Sequence, residues 1–294
     1  MMISYIKELK LKMILFRKIK TLLKLIIGPL YNIPIINRPL PKDPFGKTII
    51  GTKEKYLKLH SKAILNLNKD VIDFQQSSGF KVNEKWFNNL ALHTQTCIKK
   101  SQLNFNHGRL IYSVLSKYIS EINEKENNSL TILETGTARG FSAICMSKAL
   151  IDQKKSGRII SLDCISHNQK MFWNSISDLD GPKTRSNLLL KWQEELSNII
   201  FIQGWSKEII KRLGIQRINF AFLDAQHTKN DVLLEFNYVY RRQQSGDLIV
   251  FDDVTYGQFD GVCEAVEIIK NNYPYEILYL DSDQKRGYAI ATKK

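Results

Sequence analysis

The spacing of apolar residues changes once along the chain. In the first part, apolar residues recur every three or four positions, and Leu110, Val114 and Tyr118 fall on one face of such a helix. In the second part, short runs rich in β-branched residues are separated by segments long enough to form helices. This change predicts a helical cap region over residues 41–128 and an alternating strand and helix domain over residues 129–294.

Seven strands are predicted in the second part. Five short apolar runs occupy residues 130–135, 158–163, 199–203, 218–223 and 247–252. Because longer segments lie between them, these strands are expected to pair in parallel through right-handed crossovers. The last two runs, residues 275–280 and 287–292, are close enough in sequence to favour an antiparallel hairpin. The predicted fold class is α/β: a Rossmann-like, doubly wound, mostly parallel seven-stranded sheet with a C-terminal antiparallel hairpin.

Composition and charge exclude some classes of protein. Hydrophobic residues make up 43% of the 294 residues, which is enough apolar surface to exclude a disordered chain. The net charge of +14 is concentrated at one end, because residues 1–62 hold 14 Lys and Arg against three acids and the rest is nearly neutral. This asymmetry argues against a nucleic-acid surface on the body of the protein. The four cysteines form no C-x-x-C pair, which indicates reduced thiols in a cytosolic protein.

The first 40 residues are predicted to form a basic amphipathic arm. Ile6, Leu9, Met13 and Phe16 recur at helical spacing among lysines. No lysine-free run approaches the roughly 20 apolar residues that cross a bilayer, and no small-residue cleavage site of a signal peptide follows. The pattern therefore predicts that residues 1–40 contact an anionic membrane surface. The expected location is cytoplasmic, peripheral at the inner face of the membrane.

Acidic residues stand at the carboxyl ends of four of the five predicted parallel strands. They are Glu134, Asp163, Asp224 and the pair Asp252 and Asp253. Ligands of open parallel sheets bind beyond these strand ends, so this edge is the predicted site. A carboxylate at the end of the second strand can accept hydrogen bonds from both hydroxyls of a ribose, a use open to methyltransferases and dehydrogenases alike.

The turn after the first strand reads E-T-G-T-A-R-G. Its glycines, Gly136 and Gly140, have the spacing E-x-G-x-x-x-G, and Ala138 and Phe141 occupy the places of the other two glycines of a dinucleotide-binding fingerprint. The spacing is therefore weak evidence for a turn that binds the pyrophosphate of a dinucleotide. Glycines at these positions permit close approach of the backbone to a ligand.

Two segments, F-L-D-A-Q-H and V-F-D-D-V, carry the predicted chemistry. Asp224, Asp252 and Asp253 are expected to converge at neighbouring strand ends, where three carboxylates repel one another unless a cation lies among them. Oxygen ligands favour a divalent ion such as Mg²⁺ over zinc. His227 follows Asp224 by three residues, and its imidazole can accept a proton near neutral pH.

The strand order and these segments resemble class I S-adenosylmethionine-dependent methyltransferases. The D-x-x-H and D-D segments resemble those of metal-dependent O-methyltransferases, and the region is also similar to the bacterial group related to cephalosporin hydroxylase. The resemblance implies catalytic roles for His227 and Asp224, and metal binding by Asp224, Asp252 and Asp253. It implies cofactor binding by Glu134, Gly136, Thr137, Gly140, Ser142, Asp163, Cys164, Gly204, Trp205, Ser206 and Asp224.

The resemblance implies methyl transfer from S-adenosylmethionine to a hydroxyl oxygen of a small molecule or glycan sugar, assisted by a divalent ion. A nicotinamide-dependent oxidoreductase, an RNA ribose methyltransferase and a non-catalytic cofactor-binding domain tethered at a membrane are the alternatives. The D-A-Q-H segment departs from the Asn/Asp-Pro-Pro-aromatic turn of nucleobase methyltransferases. His107 and Arg109 are predicted to line a substrate mouth. No motif identifies the acceptor or the oligomeric state.

Overall fold

The computed structural model describes residues 39–122, 129–281 and 286–294. Within it, Leu40–Lys294 forms one compact unit. The predicted basic arm lies almost wholly outside the described residues, and its contact with a membrane stays a prediction. Among the helices that are described, none combines the length and the hydropathy needed to cross a bilayer.

In the described part of the chain, four helices precede the sheet, as the helical spacing predicts. They are α1 (Lys53–Ala63), α2 (Lys69–Ser78), α3 (Glu84–Thr94) and α4 (Asn106–Glu121). The first three begin where a Thr or Asn side chain accepts a hydrogen bond from a backbone N–H of the first turn. Most residues of α4 are buried, because this helix packs between the other helices and the sheet.

The sheet contains seven strands in the order β3-β2-β1-β4-β5-β7-β6. Their bounds are β1 (Leu130–Thr135), β2 (Gly157–Asp163), β3 (Ile199–Gln203), β4 (Phe220–Leu223), β5 (Leu248–Phe251), β6 (Tyr275–Leu280) and β7 (Tyr288–Lys293). The first five strands pair in parallel, and β7 runs antiparallel between β5 and β6. The predicted fold class, including the C-terminal hairpin, is confirmed.

Helices connect the parallel strands. The α-helices after β1 are α5 (Phe141–Asp152), α6 (Arg185–Leu188), α7 (Gln193–Leu196), α8 (Ser206–Ile209), α9 (Lys229–Tyr240) and α10 (Asp260–Asn272). Successive residues of a strand point to opposite faces of the sheet. Accordingly, Ile132 packs with Phe141 and the helical region, whereas Leu133 packs with Phe236 of α9 on the other face.

The strand order reverses between β1 and β4. From β1 the chain continues outward to β2 and β3, and then returns to β4 and β5 on the other side. Thr135 at the end of β1 lies beside Leu223 at the end of β4. A crevice opens at such a reversal in doubly wound sheets, and ligands bind there. The topology therefore brings the turn after β1 next to the turn after β4.

Candidate active site

The turn between β1 and α5 lies against the end of β4. Gly136 has a φ of 85°, and a Cβ at this position would lie 2.0 Å from the carbonyl oxygen of Asp224. Gly140 has a φ of 91°, and a Cβ there would lie 2.6 Å from Cδ1 of Leu189. Both positions need glycine for the left-handed backbone and for close contact with the chain itself. The sequence explained these glycines by close approach of a ligand, and the structure shows that contacts within the chain also require them.

Asp163, at the end of β2, holds this turn in place. Its Oδ2 accepts a hydrogen bond from the N–H of Ala138 at 2.6 Å, and its Oδ1 accepts one from Ile165 at 2.6 Å. Ala138 has a φ of 47°, a left-handed conformation that costs roughly 1–2 kcal/mol for a residue with a Cβ. Each oxygen of Asp163 keeps a further lone pair for a ligand hydroxyl. Cys164 follows half-buried, and burial raises its pKa to about 11.

Arg185 is the buried counter-ion of this region, and no sequence motif indicated it. Its side chain is 1% exposed, and its Nη2 lies 3.8 Å from Oδ1 of Asp163. Its Nε donates to the carbonyl oxygen of Ala138 at 3.0 Å, and its Nη2 donates to that of Ile165 at 3.2 Å. Burial raises the pKa of Asp163, and the charge of Arg185 opposes that rise. Arg185 and Asp163 therefore fix the same backbone from two sides.

Glu134 lies beneath the turn and is completely buried. Its Oε1 accepts a hydrogen bond from the hydroxyl of Ser142, and its Oε2 accepts one from Ser161 at 2.6 Å. Burial raises the pKa of Glu134, and these hydroxyls oppose the rise. Thr137, in the same turn, is also buried. Two predicted cofactor residues, Glu134 and Ser142, are therefore bound to each other below the surface of the turn.

The segment after β3 completes this side of the crevice. The N–H of Gly204 donates to the carbonyl oxygen of Asp163 at 2.8 Å, which places the β3 turn beside the β2 turn. A Cβ on Gly204 would lie 1.8 Å from Cδ1 of Ile209, so glycine is required here. Trp205 is half-buried, and Ser206 begins α8. The structure therefore gathers the predicted cofactor residues of β1, β2 and β3 along one edge.

Glu235 of α9 is a second buried acid that sequence reasoning missed. It is 1% exposed, and its Oε2 accepts a hydrogen bond from the hydroxyl of Thr135 at 2.8 Å. Burial raises the pKa of Glu235 to about 7, and the hydroxyls of Ser206 and Thr135 oppose the rise. Glu235 thus links the end of β1 to the start of α8.

A different arrangement occupies the ends of β4 and β5. Asp224, His227 and Asp253 each offer a ligand atom, and these atoms lie within 4.8 Å of one another. Nε2 of His227 is 3.2 Å from Oδ2 of Asp253 and 3.7 Å from Oδ1 of Asp224. The side chain of His227 is 41% exposed, and its ring stands edge-on to Phe259 with 4.9 Å between centroids. We refer to Asp224, His227 and Asp253 as the acidic cluster.

Arg286, just before β7, supplies a positive charge beside the acidic cluster. Its Nε lies 2.7 Å from Oδ1 of Asp253, and its Nη2 lies 3.4 Å from Oδ2 of Asp252. The side chain of Asp252 is fully buried, and its Oδ1 accepts a hydrogen bond from the N–H of Asp253 at 2.7 Å. The structure places His227 with Asp224 and Asp253. The side chain of Asp252 contacts Arg286 and also lies within hydrogen-bonding reach of Asp224, and its binding of a metal stays a prediction.

The carboxyl groups in and beside the acidic cluster have displaced pKa values. Burial and the nearby charge of Asp252 raise the pKa of Asp224. The same two causes raise the pKa of Asp253 to about 8, against the charge of Arg286. Burial acts upward on Asp252 too, but Arg286 and His107 hold its pKa below the ordinary value. Without a further cation, the cluster therefore retains protons near neutral pH.

The predicted substrate mouth at His107 and Arg109 is wrong. Arg109 is 3% exposed, and its Nη1 and Nη2 donate to the two carboxylate oxygens of Glu84 at 2.5 and 2.8 Å. His107 is 5% exposed and packs edge-on to Phe141 with 5.0 Å between ring centroids. Both side chains are engaged in packing, because they lie in the buried N-terminal part of α4.

Comparisons with known proteins support the assignment of the fold. The family model described as a methyltransferase domain matches residues 133–254, from within β1 to beyond β5. No curated protein matches the sequence.

Two solved structures are similar to the chain. The O-methyltransferase TomG from Streptomyces achromogenes, involved in tomaymycin synthesis and solved with S-adenosylmethionine, is 15% identical, with a TM-score of 0.51 over 83% of this chain and 100% of that one. An O-methyltransferase from Bacillus cereus, solved with S-adenosylhomocysteine, is 16% identical, with a TM-score of 0.46 over 81% of this chain and 96% of that one.

The family match and the fold support the same conclusion. The matched segment contains the turn after β1, Asp163, the turn after β3 and the aspartates at the ends of β4 and β5. The TomG structure shares the fold, and the strand order with its C-terminal hairpin is the one predicted from the sequence. Residues 133–254 therefore match a methyltransferase domain, and the chain shares the fold of the TomG structure.

Proposed function

We propose that the protein transfers the methyl group of S-adenosylmethionine to a hydroxyl oxygen of a small molecule or sugar. The observation that carries the proposal is the acidic cluster at the ends of β4 and β5, adjoining the turn that contains Gly136. A hydroxyl group needs a proton acceptor before its oxygen becomes a good nucleophile. The cluster contains a partly exposed imidazole held between two carboxylates, which meets that need.

The cofactor is assigned to the edge formed by the ends of β1, β2 and β3. Each carboxylate oxygen of Asp163 accepts one hydrogen bond that fixes the turn and has a further lone pair that could accept one from a ribose hydroxyl. Gly136 and Gly204 lie at the turns that border this edge. The turn that contains Gly136 lies against Asp224, so a cofactor bound along this edge would lie next to the acidic cluster. O-methyltransferases such as TomG, which share the fold, are consistent with this assignment.

A divalent ion fits the donor set of the acidic cluster. Arg286 pairs with Oδ1 of Asp253 and so leaves Oδ2 of Asp253 directed toward Asp224 and His227. Two carboxylates in close proximity, with raised pKa values, favour the binding of a cation. Mg²⁺ prefers oxygen ligands, so Asp224 and Asp253 would hold it. When bound, the ion would lower the pKa of the acceptor hydroxyl.

His227 is assigned as the proton acceptor. Its Nε2 faces Asp224 and Asp253, which leaves its Nδ1 to accept the proton of the acceptor hydroxyl. The acceptor oxygen forms a bond to the methyl carbon while the carbon–sulfur bond breaks, and that electron pair stays on sulfur. The hydroxyl proton passes to His227. Most of the rate is expected from alignment of the reacting atoms by the two sides of the crevice.

The alternatives have weaker support in the site. A nicotinamide-dependent oxidoreductase is disfavoured because the turn after β1 has a left-handed Ala138 where a glycine of the dinucleotide fingerprint would stand. A domain that only binds the cofactor would have no use for a histidine beside two carboxylates with raised pKa values. Methyl transfer gives a use both to the turns at the ends of β1, β2 and β3 and to the acidic cluster at the ends of β4 and β5.

Thermal unfolding with added ligands tests the cofactor assignment. S-adenosylhomocysteine at 100 times its dissociation constant is expected to stabilise the protein by about 2.7 kcal/mol, because it binds only the folded chain. NADH at the same concentration is expected to leave the midpoint unchanged. A shift with NADH and none with S-adenosylhomocysteine would overturn the assignment.

Metal binding separates the two possible uses of His227. If His227 is the base, His227→Ala keeps the Mn²⁺ affinity of the wild type, measured by electron paramagnetic resonance, and loses turnover. If His227 is a ligand, the same variant loses Mn²⁺ affinity as well. Asp224→Asn combined with Asp253→Asn is expected to abolish Mn²⁺ binding. Full turnover of the wild type in excess chelator would show that the carboxylates serve another purpose.

A further inference from the structure

A polar cavity of about 140 Å³ opens beside the acidic cluster. We call it the carboxamide pocket, because side-chain amides dominate its lining. Its lining residues are Asn66, Asn68, Ser101, Gln102, Asn104, Asn106, Gln258, Phe259 and Arg286. Six of the nine are Asn or Gln, and Phe259 is the only aromatic residue among them. Most of these residues come from the helical region, for which the sequence indicated no function.

The floor of the pocket is a closed network of asparagines. Nδ2 of Asn106 donates to Oδ1 of Asn104 at 2.7 Å and to the carbonyl oxygen of Asn66 at 2.9 Å. Oδ1 of Asn106 accepts from the N–H of Asn68 at 3.1 Å. Asn104, Asn106 and Asn68 are each less than 10% exposed. Because these amides satisfy one another, the floor is rigid before any ligand binds.

The same network positions the residues that the pocket shares with the acidic cluster. Nδ2 of Asn68 donates to the carbonyl oxygen of Arg286 at 3.2 Å, and Arg286 pairs with Asp253. On the opposite wall, Phe259 contacts the ring of His227. The pocket is therefore one residue away from the assigned base, and a ligand in it can extend a substituent toward His227.

The rim of the pocket carries polar groups without partners. Within the described part of the chain, the side chains of Ser101, Gln102 and Gln258 have no hydrogen-bond partner, and all three are exposed. Carboxamides and hydroxyls both donate and accept hydrogen bonds, so the rim matches a ligand that offers several hydroxyl groups. A flat aromatic acceptor requires apolar walls to bury its faces, and this pocket offers one such wall, at Phe259.

We propose that the carboxamide pocket binds the sugar ring of the methyl acceptor and directs one hydroxyl toward His227. This inference rests on the proposed methyl transfer to a hydroxyl oxygen, and it narrows the acceptor to a neutral polyhydroxylated ring. Among the described residues that line the pocket, Arg286 is the only charged one, and its guanidinium is paired with Asp252 and Asp253. This described lining presents no unpaired charge to recognise an anionic group.

Saturation-transfer NMR on the full chain with bound S-adenosylhomocysteine tests the class of ligand. The probes are the methyl α-glycosides of glucose, mannose and galactose, with catechol as the aromatic comparison. Transfer to ring protons of at least one glycoside, stronger than transfer to catechol, is the expected result. Transfer to catechol alone, or to no probe, overturns the sugar assignment. In both cases, bound S-adenosylhomocysteine shows that the methyltransferase assignment itself still holds.

Variants of the rim test the location. Gln102→Ala and Gln258→Ala are each expected to weaken glycoside binding about fivefold, because each removes about one net hydrogen bond. Gln76→Ala removes an exposed amide of α2 outside the pocket and is expected to leave binding unchanged. Affinity for S-adenosylhomocysteine should be the same in all three. Glycoside affinity that is unaffected by both rim variants would place the sugar elsewhere and refute the proposal.

Discussion

The two sides of the crevice use their acidic residues in opposite ways. At the ends of β1, β2 and β3, which we call the cofactor half, Glu134 and Asp163 accept hydrogen bonds from hydroxyl and backbone groups of the protein. At the ends of β4 and β5, the acceptor half, Asp224 and Asp253 face each other and a partly exposed His227. The same residue type therefore builds a rigid cradle on one side and a titratable cluster on the other.

This difference follows from what surrounds each acid. Asp163 has Arg185, 1% exposed, close by, and two N–H groups within hydrogen-bond distance. Asp253 has Arg286 on one oxygen only, and its other oxygen faces His227. An acid whose hydrogen-bonding capacity is filled mainly by the protein supports structure, whereas one with an unfilled oxygen near a base supports proton transfer. The role of each acid thus depends more on the groups that contact it than on its residue type.

The substitution with the largest expected effect acts on both halves together. Gly136→Ala would place a Cβ 2.0 Å from the carbonyl oxygen of Asp224, in a left-handed backbone. The variant is expected to lose more than about 3 kcal/mol of unfolding free energy, measured by urea denaturation. Gly79→Ala is the matched control, because Gly79 has a φ of 77° and no atom within 4 Å of its would-be Cβ. Equal losses in the two variants would show that backbone strain alone matters.

A substitution in the acceptor half should affect catalysis and leave binding intact. His227→Gln is expected to lower the turnover number by about 100-fold or more, because a general base contributes that much. Release of S-adenosylhomocysteine with glycoside and catechol acceptors provides the measurement. His60→Gln is the control, since His60 contacts only the carbonyl oxygen of Asn88 by a side-chain hydrogen bond in the described chain. A similar fall in both variants would contradict the assignment.

The buried acid beneath the cofactor half should make stability depend on pH. The folded chain keeps the proton of Glu235 up to a pKa of about 7, whereas the unfolded chain releases it near 4.5. Raising the pH through this window therefore favours unfolding. When the pH is raised from about 5 to about 8, the unfolding free energy of the wild type is expected to fall by about 2 kcal/mol more than that of Glu235→Gln. Parallel pH profiles for the two proteins would rule out this role.

The smallest effect is expected from relief of strain in the cofactor half. Ala138→Gly should raise the unfolding free energy by about 1 kcal/mol, because glycine adopts a φ of 47° without a steric penalty. Lys154→Gly, at an exposed position with a φ of 51°, should give a similar gain. A loss of stability in Ala138→Gly alone would show that the methyl group of Ala138 makes a contact that outweighs the strain.

The sequence was a good guide to the fold and to the residues that follow the strand ends in both halves. Strands and helices follow from local apolar spacing, and parallel pairing then gathers the strand-end acids at one edge. Asp163, Asp224, Asp253 and His227 were found in this way. Metal binding by Asp252 stays a prediction, because the sequence does not tell that its side chain would be fully buried against Arg286.

The missed residues are those whose partners are distant along the chain. Arg185 contacts Ala138 across 47 residues, and Arg286 contacts Asp252 across 34. Neither arginine belongs to a periodic segment or a motif, and Arg286 follows a lysine in what looks like a solvated hairpin connection. Asn68 and Asn104 of the carboxamide pocket likewise have partners far along the chain, the carbonyl oxygen of Arg286 and the hydroxyl of Tyr288. Such contacts are set by tertiary packing, which local patterns do not encode.

Calorimetric titration of S-adenosylhomocysteine into two isosteric variants tests the division between the halves most directly. Asp163→Asn removes a charged acceptor from the cofactor half, and Asp253→Asn removes one from the acceptor half. The account predicts that Asp163→Asn weakens binding at least about tenfold, the value of a hydrogen bond to a charged group, while Asp253→Asn stays within about twofold of the wild type. Weaker binding in Asp253→Asn with unchanged binding in Asp163→Asn would contradict it.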